Sequence, residues 1–337
     1  MTLLIAEIGV NHNGRLELLE KLIEEAKSSG AHACKFQTFK AKSLARKDTP
    51  KVNYQLSTSD PDETHWQMLK NLELSDEMHL FAKKRCEDLG MDFISTPYDP
   101  ESVEYLHSIG VKTVKTASAD VVDHRIHNKI VELGMKAIIA VGMASMNEIR
   151  DMLKIYKKAS NPPALLHCVS NYPCSYESLN LACITSLKNE FGYEVGFSDH
   201  SVDSSAASLA VALGATIIEK HFTLDREMAG PDHKASSTPN EFRELVKAVS
   251  LSKKILGKPI KALRAEEKHM HGVSRKSVCL VNGIKKGQLI SESDLIMLRP
   301  GNGLNGEDFY LLIGKKAKTD LPPGCVLSWD HFEETNM

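Results

Sequence analysis

The sequence predicts an α/β chain that forms a (β/α)8 barrel of the TIM type, followed by a small loop-rich domain. Three observations predict it. Eight apolar, β-branched runs recur in order, with helix-like segments between them. Polar residues gather at the C-terminal ends of those runs, which in such a barrel is the face where active sites form. The length of 337 residues suits a barrel of roughly 250 residues with a small unit added.

The runs are residues 3–10, 32–39, 91–97, 111–118, 136–143, 164–170, 194–200 and 216–223. Between the first two, Leu16, Leu19, Leu22, Ile23 and Ala26 keep the i, i+3, i+4 spacing of a helix with one apolar face. Gly30, Gly90, Gly110, Gly134 and Gly214 each precede the next run, where a left-handed residue is the usual helix stop. Eight strand–helix units in order leave a closed barrel or a doubly wound open sheet. An open sheet collects its functional groups near one switch point. Here Glu7, Lys35, Gln37, Thr96, Lys115, Ser118, Ser170, His200 and His221 are spread over the ends of many runs, which favours closure. Residues 53–74 interrupt the pattern and contain Asp60-Pro61-Asp62; they predict a long loop over the barrel mouth.

The character changes near residue 258. The predicted division is a barrel over 1–258, a charged linker over 259–273 and a second domain over 274–337. That last stretch carries closely spaced turn signals such as Asn282-Gly283, Lys286-Gly287 and Pro322-Pro323-Gly324. At roughly 60 residues it is marginal by itself.

Composition narrows the function. The hydrophobic fraction of 42% and charged fraction of 26% are those of an ordinary globular protein. A net charge of −2 offers no basic excess for a nucleic acid. No run approaches the roughly 20 apolar residues of a membrane span. The opening run is cut by Glu7, without a basic region before it or a cleavage site after it, so no signal peptide is expected. Seven scattered cysteines without a CxxC pair predict reduced thiols in a cytoplasmic protein.

His200 and His221 fall at the ends of consecutive runs, where neighbouring barrel strands would bring two imidazoles together. Such a pair suits a shared divalent metal of the Mn, Fe, Co or Zn kind; a hydrogen-bonded buried histidine is the plainer reading for either alone. His12, His167 and His233 are lesser candidates, with His167 better read as a satisfied core residue. Lys35 and Lys115 lie inside strands, where a lone ammonium is costly to bury. They predict either an anionic ligand, with Thr96, Ser118 and Ser170 as hydroxyl donors, or internal pairing with Glu7, Asp120 or Asp199. Glu7 fits a carboxylate that orients a water or moves a proton, and equally a partner for Lys35. Asp232 follows the eighth run and could bind substrate hydroxyls, or simply close a turn. No P-loop is present, since residues 9–14 lack the GK[ST] ending.

With those residues in view, the chain resembles the sialic acid synthase (N-acetylneuraminate synthase) family over nearly its whole length. The motifs are AEIGVNHNG (6–14), KFQTFKA (35–41), FISTPYD (93–99), KTASAD (115–120), VGMAS (141–145), LHCVSNYP (166–173), GFSDHS (196–201), IEKHFTLD (218–225), GPDHKAS (230–236) and RPGNG (299–303). In this order the set is highly specific. The tail from Ser274 resembles that family's antifreeze-like (SAF) domain. The resemblance implies condensation of phosphoenolpyruvate with N-acetylmannosamine or a related N-acyl amino sugar, giving a nonulosonic acid and phosphate. It implies a divalent metal, Mn2+ foremost with Mg2+ or Co2+ as alternatives, on His200 and His221. It implies phosphoenolpyruvate contacts at Lys35, Thr96, Lys115, Ser118, Ser170 and Tyr172, and a strand-one glutamate at Glu7. Sugar contacts fall on Gln37, Tyr172, Asp232 and Arg299, the last reaching across a domain-swapped homodimer.

Two departures stand out. The family's STGM is Ala140-Val141-Gly142-Met143 here, which removes a phosphate-binding hydroxyl at Ala140. Asp120 stands where a glutamate is common, shortening its reach toward the sugar. These bear on the acceptor: legionaminic acid or spore-coat sugar-acid synthesis is the near alternative. A synthase of octulosonate or heptulosonate phosphate is the more remote one.

Overall fold

The computed structural model describes residues 2–51 and 62–333. The chain divides into two compact units, Met1–Gly257 and Lys258–Met337.

The first unit is a closed barrel of eight parallel strands in sequence order. They are β1 (Leu3–Gly9), β2 (Ala33–Thr38), β3 (Asp92–Pro97), β4 (Thr113–Thr116), β5 (Lys136–Ala140), β6 (Ala164–His167), β7 (Glu194–Asp199) and β8 (Ile217–His221). Closure is direct: β8 pairs β1 from Leu3↔Ile217 to Glu7↔His221. The helices around the barrel are α1 (Leu16–Ser28), α2 (Ala41–Leu44), α3 (His65–Leu72), α4 (Asp76–Asp88), α5 (Pro100–Ser108), α6 (His124–Glu132), α7 (Met146–Tyr156), α8 (Cys183–Phe191), α9 (Ser205–Ala212) and α10 (Pro239–Leu256). In α1 the expected apolar face is buried through Leu19, Leu22, Ile23 and Ala26, whereas Leu16 is 37% exposed at the first turn. The five helix-end glycines take positive φ, from +65° at Gly90 to +101° at Gly214, a region where a β-carbon is penalised.

The long loop expected over 53–74 needs correction. Residues 52–61 lie outside the described part, but α3 occupies the second half of the segment. Its start is fixed by a capping box: Gln67 N–H donates to Thr64 Oγ1 at 3.2 Å, and Thr64 N–H donates to Gln67 Oε1 at 2.7 Å. Met68, Leu69 and Leu72 then form one helix face that packs with Val10, Phe39 and Ala41.

The barrel interior is narrow at mid-height. Gly196 on β7 faces it, and a β-carbon there would lie 2.5 Å from Ile217 O and 2.6 Å from Leu166 Cδ2. Backbone and a packed leucine cannot both yield, so Gly196→Ala is expected to destabilise the barrel by about 1–3 kcal/mol or more. A variant whose thermal midpoint matches the parent's would contradict this packing.

The second unit holds a short helix, α11 (Lys268–Ser274), and an antiparallel pair, β9 (Ser277–Leu280) with β10 (Leu295–Leu298). Isolated bridges such as Ile284↔Leu321 and Ala317↔Phe332 extend the pairing. Val278, Leu280, Ile290, Leu312 and Leu327 form its core. Among the described residues no helix is long and apolar enough to cross a membrane, and all seven cysteines are free thiols.

Candidate active site

Strand alternation decides which side chains enter the barrel. Ile5, Ala33, Ile94, Ile138, Ala140, Ala164, Leu166 and Ile217 make an apolar plug in its interior. Two positions further along the strands, the next inward residues are Glu7, Lys35, Thr96, Cys168 and Glu219, so a polar layer sits directly on the plug. Ala140 belongs to the plug: that position supports the core and does not line the cavity above.

Register brings the charges into contact. Glu7 is the ladder partner of both Lys35 and His221. Lys35 Nζ lies 2.7 Å from Glu7 Oε2 and 3.8 Å from Glu219 Oε2, and donates to Thr96 Oγ1 at 3.2 Å. Lys115 Nζ lies 3.2 Å from Glu219 Oε1, which also accepts from Ser198 Oγ at 3.0 Å. The internal partners of the two lysines are therefore Glu7 and Glu219. Asp199 is not one of them: it pairs with Lys220 at 2.9 Å. Glu219 and Ser198 went unnoticed in the sequence.

The two carboxyls differ. Burial pushes Glu7 up to about 7, against the pull of Lys35 and with the help of Glu219's charge. Burial also works against ionised Glu219, but Lys115 and Lys35 overcome it and bring that group down to about 2. Two ammoniums thus face one firmly ionised carboxylate, Glu219, and a second, Glu7, whose burial favours its neutral form. The cavity has a positive surplus that suits an anion.

Hydroxyl and amide donors border the lysines. Gly142 N–H donates to Ser118 Oγ at 2.9 Å, and that oxygen lies 3.1 Å from Cys168 Sγ. A β-carbon on Gly142 would come within 2.7 Å of Cys168 Sγ and 2.9 Å of Ser170 Oγ, so the close approach of this loop depends on glycine. Ser118 opens a 3-10 turn, Ser118–Val122, because β4 stops at Thr116. That turn carries Asp120 away from the lining, correcting its expected place beside a sugar. Burial, then the charge of Asp123, pushes Asp120 up to about 6.

His200 stands one residue beyond β7 and His221 ends β8; their ring centroids are 5.7 Å apart. Tyr172 covers both, at 4.1 Å from His200 and 5.4 Å from His221. His200 Nδ1–H donates to Val169 O at 2.7 Å, which leaves Nε2 as the ring's lone-pair nitrogen, 3.3 Å from Ser198 Oγ. His221 Nδ1 is buried without a hydrogen-bond partner, 3.8 Å from Asp232 Oδ2. Burial lowers His200 to about 4, and burial with the neighbouring His200 lowers His221 well below 6.5. Two neutral imidazoles, one with an orphaned nitrogen and a carboxylate close by, fit a divalent cation of the Mn, Fe, Co or Zn type. His12, His167 and His233 do not line the cavity. His167 Nε2–H donates to Leu179 O at 2.7 Å, and His12 Nδ1 accepts from Gly14 N–H at 3.0 Å.

Glu7, Lys35, Lys115, Glu219, His200 and His221 open on one cavity of about 990 Å³. Gln37 lines it, held by Tyr98 Oη at 3.3 Å and donating to Glu7 Oε1 at 3.4 Å. Tyr172, Ser170 and Asp232 line it as expected. Val10 and Leu44, with Met68, Leu69 and Leu72 of α3, add an apolar wall that sequence reading did not anticipate. Arg299 is an exposed residue of the second unit, just past β10.

The family model described as "NeuB family" matches residues 22–261, and that of the SAF domain matches residues 275–333. The chain is 39% identical to an N,N'-diacetyllegionaminic acid synthase of Legionella pneumophila, over 98% of this chain and 94% of that protein. It is 41% identical to the enzyme of the same name from Campylobacter jejuni, over 94% of this chain and 96% of that protein. Among solved structures, a sialic acid synthetase of Leptospira borgpetersenii in complex with citrate is 34% identical, with a TM-score of 0.72 over 80% of this chain and 90% of that one.

Proposed function

The chain belongs to the NeuB family and carries a SAF domain, and from that premise we propose that it condenses phosphoenolpyruvate with the open-chain aldehyde of an N-acyl amino sugar, releasing phosphate and a nonulosonic acid. The observation that carries the reading is the convergence of Lys35, Lys115, Glu7 and Glu219 with the His200–His221 pair in one cavity. A positive layer with hydroxyl donors suits a phosphorylated enol acid; two imidazoles one step higher suit the carbonyl it meets.

In this reading Lys35, Lys115, Thr96, Ser118, Ser170 and Tyr172 hold phosphoenolpyruvate with its methylene toward the histidines. The methylene carbon attacks the aldehyde carbon, water adds to the enol-ether carbon left cationic, and the tetrahedral phosphate hemiketal collapses to ketone and phosphate. Glu7, poised near neutrality, holds the proton that the new alkoxide needs or orients the water. His200 and His221 would hold a divalent cation, Mn2+ foremost, which would supply Lewis acidity toward the aldehyde oxygen. Gln37, Tyr172 and Asp232 are assigned to the acceptor's hydroxyl and acyl groups. Arg299 of the partner subunit would complete that end in a domain-swapped homodimer. Fixing both reactants in one cavity contributes through proximity, up to roughly 7–11 kcal/mol in the best cases.

The apolar wall bears on the acceptor. A hydroxyl placed against Met68, Leu69 and Leu72 loses its water without gaining a partner, whereas an acyl methyl or a deoxy carbon gains from burial. This favours a 2,4-diacylamino acceptor of the legionaminic kind over N-acetylmannosamine. Among the described lining residues the cations are Lys35, Lys115 and Arg46, and Arg46 is already bidentate on Asp48 at 3.0 and 2.8 Å. A phosphorylated sugar therefore finds little to hold a second phosphate. The test is phosphate release from phosphoenolpyruvate and Mn2+ with diacetamido, monoacetamido and phosphorylated acceptors. The expected order of kcat/KM is diacetamido, then monoacetamido, then phosphorylated. Release with none of them would remove the reading.

A further inference from the structure

His200 is not part of the barrel ladder. The last rung between β7 and β8 is Asp199↔Lys220, and His200 follows it unpaired. Alternation turns Asp199 and Lys220 to the outside of the barrel wall while His200 and His221 turn inward. Both outward side chains are nevertheless buried beneath the helices, at 0% and 4% exposure, with Lys220 Nζ 2.9 Å from Asp199 Oδ2.

That ammonium grips both sides of His200. On one side it holds the Asp199 carboxylate; on the other it donates to Ser201 O at 2.7 Å. The other carboxylate oxygen, Asp199 Oδ1, accepts from Ser201 N–H at 2.8 Å and from Ser201 Oγ at 2.6 Å. Asp199 and Ser201 are thus fastened to each other and to the residue that precedes His221. A parallel inner rung, Ser198 Oγ to Glu219 Oε1, ties the same two strands one step lower. His200 itself is held by its ring N–H on Val169 O and by its carbonyl, which accepts from Cys174 N–H at 2.8 Å; the outer rung is what ties its two chain neighbours to the strand that carries His221.

We propose that Asp199 and Lys220 are a positioning pair for the two-imidazole centre: the outer ion pair fixes where His200 stands relative to His221, and neither residue touches substrate. The proposal rests on the reading above only for its metal readout. A buried pair replaced on both sides leaves no orphan charge, so the double variant Asp199→Asn with Lys220→Met keeps the fold testable where a single variant strands one ion.

The experiment uses the full-length protein and two measurements. In the absence of metal, the imidazole Hε1 resonance of His200, which lies under the Tyr172 ring, is recorded with histidine-labelled protein. In the presence of metal, Mn2+ alone is titrated by electron spin resonance. The double variant is expected to fold, to shift or broaden the His200 resonance, and to bind Mn2+ about 10- to 100-fold more weakly, as when an outer partner of a metal ligand is lost. Lys220→Arg, which keeps the charge, is expected to recover part of that affinity. A folded double variant with an unmoved His200 resonance overturns the proposal, and so does one that shifts the resonance yet binds Mn2+ like the parent. A parent protein that takes up no Mn2+, combined with a variant whose His200 resonance moves, removes the metal from the proposed function and leaves the positioning role standing.

Discussion

Glu219→Gln is expected to lower kcat about 100-fold without raising KM for phosphoenolpyruvate. Glu219 is the counter-ion of Lys115 at 3.2 Å and a second partner of Lys35 at 3.8 Å. Removing one partner of a buried ion pair costs about 3–5 kcal/mol of fold stability, and a misplacement of about 1 Å in the groups it orients costs about 100-fold in rate. The cost falls on the empty and the reacting site differently. Glu219 competes with the anionic substrate for the lysines, so its loss frees both ammoniums for ground-state binding, and KM does not rise. The lysines and Ser198 then lose the group that orients them, and the loss appears in kcat, as for an interaction needed mainly at the transition state.

The pH profile supplies a second sign. Glu219's charge helps push Glu7 up to about 7; without that charge Glu7 ionises at lower pH. If protonated Glu7 is the competent form, the alkaline limb near pH 7 moves toward acid in Glu219→Gln and disappears in Glu7→Gln. The same shift has a stability consequence. A carboxyl raised from 4.5 to about 7 contributes stability that is present below its unfolded value and is lost as pH rises through the folded one. The barrel is therefore expected to weaken as pH rises from about 5 through 7 at this group, and less so in Glu7→Gln. A rate profile that keeps its limb in Glu219→Gln would falsify the coupling.

Why Glu219 escaped notice is instructive, because the information was present. Placing His221 inside the barrel fixes Glu219 inside as well, two residues back on the same strand. Reading strand ends alone singles out the last polar residue of each run and passes over the one beneath it. The eight runs were legible because apolar, β-branched stretches are intrinsic to buried parallel strands. Parity fails where the strand stops early. β4 ends at Thr116, so the side of Asp120 follows from a 3-10 turn and not from alternation. The wall made by α3 was hidden for a different reason. Thr64, Gln67, Met68, Leu69 and Leu72 spell a capped amphipathic turn, but the polar residues before them made the whole segment read as loop. Ala140, where the resemblance implies a lost hydroxyl, packs in the apolar plug beside Leu166 and Cys168.

Stripping divalent cations is expected to lower turnover at least about 1,000-fold, with Mn2+ restoring it to the parent protein but not to His221→Ala. The protein itself supplies few groups. Among the described residues no three His, Cys, Asp or Glu side chains close around one point. The donors available are His200 Nε2, His221 and, at 3.8 Å from the latter, Asp232. A cation held by His200 and His221 would have few protein ligands and could take substrate oxygens as well, as in catalytic sites. Such a site should release its cation to a chelator readily and bind it more tightly once an acceptor fills a vacant position. By linkage the two affinities move together: whatever factor the acceptor gains from Mn2+, Mn2+ gains from the acceptor. Measuring Mn2+ affinity with and without an acceptor, and acceptor affinity with and without Mn2+, gives two factors that must agree. In His221→Ala a single imidazole remains, and both factors should fall to one. Chelated enzyme that turns over like the untreated protein, or a His221→Ala variant with unchanged coupling, would take the cation away from these two histidines and leave the lysine cradle as the whole of the site.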